Sequence, residues 1–115
     1  MSKSLTAIEL LLEIDEVDLY VKLIEQLNKD FQLSGIDQYF DLKFTPTQLI
    51  HQLQKSILGL INTNFDGYLN LLYRIDISET ALKKMDGFAK EKISEQVVYV
   101  LLKREWKKVW FKNKL

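Results

Sequence analysis

The stretch that decides the fold is FAKEKISEQVVYVLLKREWKKVWFK, residues 88–112, which contains neither proline nor glycine. As one α-helix at 1.5 Å per residue, it would be about 37 Å long. A domain of this size has a radius of gyration of only about 13 Å, so such a helix should overhang, bend or meet a partner. Residues 97–102 are apolar on every side of the helix, which favours a central position among other helices. The sequence therefore predicts a fold built around a long C-terminal helix.

The second half of this predicted helix has an apolar side and a basic side. At about 100° per residue, one arc of about 120° contains the apolar residues Val98, Tyr99, Leu102, Trp106, Val109 and Trp110. The rest of the circumference contains Lys103, Arg104, Lys107, Lys108 and Lys112. Phe111 falls in the middle of this basic arc, where no core accounts for an aromatic side chain.

The candidate partner-binding residues are therefore Arg104, Trp106, Lys107, Lys108, Trp110 and Phe111. Trp, Phe and Arg are common anchors at interfaces, which favours a protein partner or a second copy of the chain. Basic residues around an aromatic one can instead bind nucleic acid, with Phe111 stacked on a base. A helix lying on a membrane surface has a similar pattern. A core helix with a lysine-rich solvated face explains the same residues without any partner.

Capping signals place the helices that precede the C-terminal one. Thr45, Pro46 and Gln48 form a capping-box pattern, which predicts a helix from Pro46 to about Asn62. After Asp66-Gly67, helical spacing predicts a second helix with the apolar stripe Tyr68, Leu71, Leu72 and Ile75. Ser78 is placed to cap a third helix of one or two turns.

The N-terminal third allows two interpretations. Apolar residues recur at helical spacing over residues 5–14 and again over residues 20–31. Asp15, followed by Asp18 three positions later, resembles an N-cap arrangement that would start a new helix there. One continuous helix over residues 5–33 fits the same spacing.

Residues 38–45 break the helical pattern. Their apolar members alternate with Asp41 and Lys43 at the period of an extended chain; these members are Phe40, Leu42 and Phe44. We expect an extended connector that places aromatic side chains in the core. A short two-stranded pairing with residues 74–78 is the alternative.

Composition fits one domain over residues 1–115. The sequence is 47% hydrophobic and 28% charged, as in ordinary globular proteins. Because cysteine is absent, disulfides and thiolate sites are excluded, and a reducing compartment, hence the cytoplasm, is expected. No apolar run is longer than residues 97–102, far below the roughly 20 residues that a membrane-spanning helix needs. Glu9 and Glu13 interrupt the N-terminal apolar residues, which therefore lack the pattern of a signal peptide.

Charge is balanced overall but unevenly distributed along the chain. Residues 1–76 contain six Lys and Arg against eleven Asp and Glu, which gives −5, and residues 77–115 contain ten against five, which gives +5. The two halves either compensate each other within the fold or leave a basic face for an acidic partner.

Residues that could carry catalysis or bind metal are sparse. His51 is the only histidine, and it is expected at the surface or its boundary. The acidic residues Glu9, Glu13, Asp15, Glu16 and Asp18 lack calcium-loop spacing and are expected on a solvated helix face. Arg74 and Asp76 are expected to form a structural ion pair. A carboxylate pair assembled by the fold would leave no trace in the sequence.

These patterns predict an all-α, single-domain bundle of four to six helices with a long C-terminal helix. We expect no metal, no cofactor and no enzymatic activity. The leading functional hypothesis is a protein–protein interaction module, with a homodimer formed through the last helix as one form of it. Nucleic-acid binding through the basic and aromatic residues of that helix is the alternative.

Overall fold

The computed structural model describes residues 6–16, 18–85 and 87–114, which form α-helices joined by turns and one extended connector, with no strand among them. The helices are α1 (Ala7–Glu16), α2 (Tyr20–Leu33), α3 (Pro46–Thr63), α4 (Phe65–Ile75), α5 (Glu79–Lys83) and α6 (Lys90–Lys114). The predicted all-α bundle with a long C-terminal helix is therefore confirmed. None of the helices in the described part of the chain combines the length and the apolar character needed to cross a membrane.

The N-terminal third forms two helices, α1 and α2, and not one. Asp18 has a φ of 64°, in the left-handed region, so the helix cannot continue through it. The predicted N-cap at Asp15 is wrong, because Asp15 lies in the last turn of α1 and α2 starts after Leu19, which makes no side-chain capping bond. A capping box forms at the start of α1 instead, between Thr6 and Glu9.

The capping box at the start of α3 is confirmed. The Thr45 hydroxyl accepts a hydrogen bond from the Gln48 N–H at 3.3 Å, and the Gln48 side chain accepts one from the Thr45 N–H at 2.9 Å. At the other end, Asn64 ends α3 and begins α4, since its side-chain oxygen accepts from the Gly67 N–H at 3.1 Å. The helix α4 therefore includes Gly67, which was predicted to precede it.

The segment between α2 and α3 is a non-helical connector that closes the core, as predicted, but it is not extended throughout, because the Phe44 N–H donates to the Asp41 carbonyl at 3.1 Å and makes a turn there. The Asn28 side chain donates to the Phe40 carbonyl at 2.9 Å and accepts from the Phe40 N–H at 2.7 Å. This pair of bonds holds the buried Phe40 ring edge-on to Phe31, with 5.0 Å between ring centroids. The alternative pairing with residues 74–78 is absent from the described residues.

Helix α6 occupies the centre of the molecule and packs against α1, α2, α3 and α4. Within the predicted central run, Val97, Val98, Leu101 and Leu102 are fully buried. A helix of 25 residues is about 37 Å long, close to the longest dimension of the molecule, 38 Å. The helix therefore reaches from one side of the molecule to the other, and its last turns lie at the surface.

Candidate functional site

The face of α6 that enters the core differs from the predicted one by about a quarter of a turn. Ser94, Val97, Val98, Leu101, Leu102, Glu105 and Val109 are buried. Trp106 is half-buried, whereas Trp110 and Phe111 are 38% and 56% exposed. The predicted apolar arc was centred on the aromatic residues because the acidic Glu105 was not counted among core residues. Because Glu105 is buried, Trp106 lies at the edge of the core and Trp110 lies outside it.

The predicted basic side of α6 divides into an inner and an outer group. In the inner group, Arg104 contacts Asp76 at 3.0 Å, Lys108 contacts Asp30 at 2.9 Å, and Lys112 donates to the Gln26 side chain at 3.1 Å. The outer group is Lys103 and Lys107, which are exposed and form no ion pair with a carboxylate in the described part of the chain. Among these cations, the outer pair can therefore meet an external ligand without breaking an ion pair among the described residues.

Asp30 on α2 is the hub of the inner contacts. Its side chain is 4% exposed and accepts hydrogen bonds from Gln26 at 3.1 Å and from Lys108, with Arg74 Nε 3.3 Å away. Burial raises the pKa of Asp30, but hydrogen bonds with Glu105, Lys108 and Gln26 outweigh it, so this pKa lies below its ordinary value. Asp30 is therefore the charged member of the cluster.

Glu105 is the neutral member of the cluster. It is fully buried, and its nearest cation is Lys108, whose Nζ lies 3.4 Å from Oε1 outside hydrogen-bonding geometry. Burial, followed by the interactions with Asp30, raises the pKa of Glu105 to about 9. A neutral Glu105 avoids a second buried negative charge beside Asp30, and neither of its oxygens accepts a hydrogen bond among the described residues.

The cluster fixes the rotation of α6 against its neighbours. Its members come from α2 (Gln26, Asp30), α4 (Arg74) and α6 (Glu105, Lys108). The ion pair predicted between Arg74 and Asp76 is wrong, because Arg74 turns to Asp30 while Asp76 contacts Arg104. Both buried carboxyl groups are enclosed by protein. The cluster therefore acts by setting which side of α6 faces outward.

The outward side of α6 forms an open hollow, about 460 Å³ in volume, against α1. We call it the aromatic hollow; it is lined by Leu10, Lys103, Trp106, Lys107, Trp110 and Phe111. The two indole rings lie 5.6 Å apart between centroids. Exposed apolar surface gathered in one place, with polar residues at its edge, is typical of interaction sites. The Lys103 ammonium lies 5.3 Å from the Tyr99 ring centroid, at this edge.

The structure brings four of the six candidate residues together. Trp106, Lys107, Trp110 and Phe111 line the aromatic hollow, whereas Arg104 and Lys108 belong to the inner group of cations. Sequence reasoning missed two residues of the hollow. Lys103 could have been found, since it lies one turn before Lys107 on the same side of the helix. Leu10 lies on α1, far from α6 in the sequence, so no local sequence pattern indicates that it joins the hollow.

No protein-family model matches the chain, and no curated protein or solved structure matches it either. The geometry of the aromatic hollow is therefore the basis for assigning a function.

The remaining candidates from the sequence do not converge on a site. His51 is exposed on α3, as predicted. Within the described residues, no three or more His, Asp or Glu side chains are grouped so as to hold a metal ion. None of these residues lines the aromatic hollow.

Proposed function

We propose that this protein is a non-enzymatic interaction module that binds another protein through the aromatic hollow. The observation that carries the proposal is the exposure of Trp110 and Phe111 beside the half-buried Trp106 and the apolar Leu10. Burying aromatic side chains of this size supplies much of the binding energy at protein interfaces. The absence of cysteine supports placing this module in the cytoplasm.

The arrangement of polar groups around the hollow supports the same proposal. Interfaces combine an apolar centre with a polar rim. Here the aromatic side chains provide the centre, while Lys103 and Lys107 provide the rim. Neither lysine needs to leave an ion pair within the described residues in order to contact a partner.

Nucleic-acid binding has less support. Two of the cations it would use, Arg104 and Lys108, contact Asp76 and Asp30. The remaining pair can neutralise few phosphates, and the chain has no net charge to attract a polyanion. The small number of available cations matters less for binding a protein partner, because apolar contact supplies most of the binding energy there.

Selection of binders from a displayed library of protein fragments tests the proposal. Affinities of the selected fragments are then measured on the folded wild-type protein and on Trp110→Ala/Phe111→Ser. The matched control is Phe65→Ser/Tyr73→Ser, which removes exposed aromatic side chains from α4, outside the hollow. We expect the hollow variant to lose at least about tenfold in affinity, as hot-spot truncation does, and the control to retain it. Equal affinities for all three proteins would overturn the proposal.

A further inference from the structure

The dimensions of the aromatic hollow suit one helix of a partner. From Lys103 to Phe111, α6 rises about 12 Å, and α1, which supplies Leu10, is about 15 Å long. This length corresponds to two or three turns of a helix. Grooves of this kind accept a helix that places side chains at positions i, i+3 or i+4, and i+7 on an apolar floor.

The lining selects apolar side chains at those positions. Trp106 and Trp110 present ring surfaces to the hollow, and Phe111 stands at its border with more than half of its surface exposed. Apolar side chains gain most from such a floor, since buried apolar area stabilises binding by about 25 cal/mol per Å² before the costs of association. The occupant is therefore amphipathic.

The rim selects negative charge on the flanks of that helix. Lys103 and Lys107 are one helical turn apart, a separation of about 5–6 Å between Cβ atoms. Two carboxylates spaced by one turn on a partner helix match this separation. The neighbouring cations Arg104 and Lys108 already form ion pairs with Asp76 and Asp30. A partner's carboxylates would therefore contact Lys103 and Lys107.

Taken together, the size, the floor and the rim lead us to infer that the aromatic hollow binds an acidic amphipathic helix of two or three turns, with its apolar side on the tryptophans and its carboxylates on Lys103 and Lys107. This inference rests on the proposed function. A second copy of the chain fits less well, because two-fold association through the hollow brings the same two lysines of both copies close together.

Two synthetic helices test the inference by titration against the fluorescence of Trp106 and Trp110, the only tryptophans in the sequence. Both peptides carry the same leucine stripe and a side-chain staple, since unstapled helices of this length are marginal in water. One peptide has Glu on the flanks of the stripe, and the other has Lys at the same positions. We expect the Glu peptide to bind at least about tenfold more tightly at low salt, with the difference shrinking as salt is added.

Charge reversal of the rim provides the second part of the test. Lys103→Glu/Lys107→Glu should bind the Lys peptide in preference to the Glu peptide. The matched control, Lys22→Glu/Lys29→Glu, reverses two exposed lysines of α2 that do not line the hollow, and it should keep the wild-type preference. Circular dichroism of each variant shows that it remains folded.

Each remaining result contradicts the inference in a recognisable way. Equal affinity for both peptides, or binding of neither, means that the partner is not an acidic helix, while the fragment selection still decides the proposed function. A dimer in sedimentation that dissociates in Trp110→Ala/Phe111→Ser assigns the hollow to a second copy instead. Salt-sensitive retention of an oligonucleotide by Lys103 and Lys107 assigns it to nucleic acid.

Discussion

Lys108 Nζ lies 2.9 Å from Asp30 Oδ2, although the two residues are 78 positions apart in the sequence. This contact joins the basic C-terminal end of the chain to its acidic first part and compensates two opposite charges inside the fold. It also holds Lys108 against α2, while Lys107 and Trp110 on the same helix are exposed. This partly buried ion pair thus helps to determine which residues the last helix offers to a partner.

Replacing Asp30 tests this role. Asp30→Asn leaves Lys108 and Arg74 without their carboxylate and should lower the free energy of unfolding by about 2–3 kcal/mol. This is below the 3–5 kcal/mol typical of fully buried pairs, because both cations are partly solvated. Urea unfolding measures the change. Asp37→Asn, at an exposed site of the connector, should stay within about 0.5 kcal/mol of wild type. Similar losses for the two variants would count against the role of Asp30.

The neutral state of Glu105 predicts a dependence of stability on pH. The pKa of Glu105 is about 9 in the folded protein and has an ordinary value of 4.5 in the unfolded chain, so the folded state holds one more proton between these pH values. Its contribution is complete below about pH 4.5 and is lost as the pH rises through about 9, with a slope of at most about 1.4 kcal/mol per pH unit. Urea unfolding from pH 6 to 9.5 should therefore show decreasing stability for the wild type.

Glu105→Gln is the control for that dependence. Its amide can donate to Asp30 but cannot lose a proton, so its stability should change less between pH 6 and 9.5. Parallel curves for the two proteins would show that Glu105 is ionised in the folded state. Asp30 acts in the opposite direction: its pKa is lowered from 3.8, so its contribution is present above that value and is lost on further acidification.

The sequence predicted those elements whose signals are local. Thr45, Pro46 and Gln48 contain the whole capping box, and the uninterrupted apolar run in α6 implies a central helix whatever packs around it. The rotation of that helix could not be predicted in the same way. It depends on Glu105, whose burial is tolerated only because Asp30 and Lys108 come together in the folded chain. The break between α1 and α2 was one of two interpretations of the sequence, but its position was misplaced at Asp15, because helical spacing on both sides does not reveal the left-handed conformation of Asp18.

Two glycines, Gly67 at the start of α4 and Gly59 within α3, give opposite predictions for substitution by alanine. A Cβ at Gly67 would lie 2.6 Å from Asn64 Nδ2, so Gly67→Ala should displace the Asn64 cap and destabilise the protein by about 1 kcal/mol. At Gly59, within α3, a Cβ meets nothing within 4 Å, and Gly59→Ala should stabilise by about 0.5–1 kcal/mol. Thermal unfolding of both variants shows whether each substitution stabilises or destabilises the protein. Stabilisation by Gly67→Ala would contradict the capping geometry.

The exposed Phe111 of the aromatic hollow should contribute little to stability compared with the core next to it. Phe111→Ser removes a side chain that is 56% exposed and should lower the free energy of unfolding by less than about 1 kcal/mol. Val109→Ala, at a position 2% exposed, should lower it by about 2 kcal/mol. Guanidinium unfolding compares them. A larger loss for Phe111→Ser than for Val109→Ala would place Phe111 in the core and remove it from the binding surface.

The most direct measurement is the ¹H–¹⁵N spectrum of the protein during titration with a fragment chosen by display selection. The two tryptophans give two indole N–H signals, and both line the hollow. We predict that both indole signals and the Phe111 amide shift with the same binding curve, while amides around Phe65 on α4 keep their positions. Shifts confined to α4 or another surface, with both indole signals unmoved, would contradict binding through the aromatic hollow.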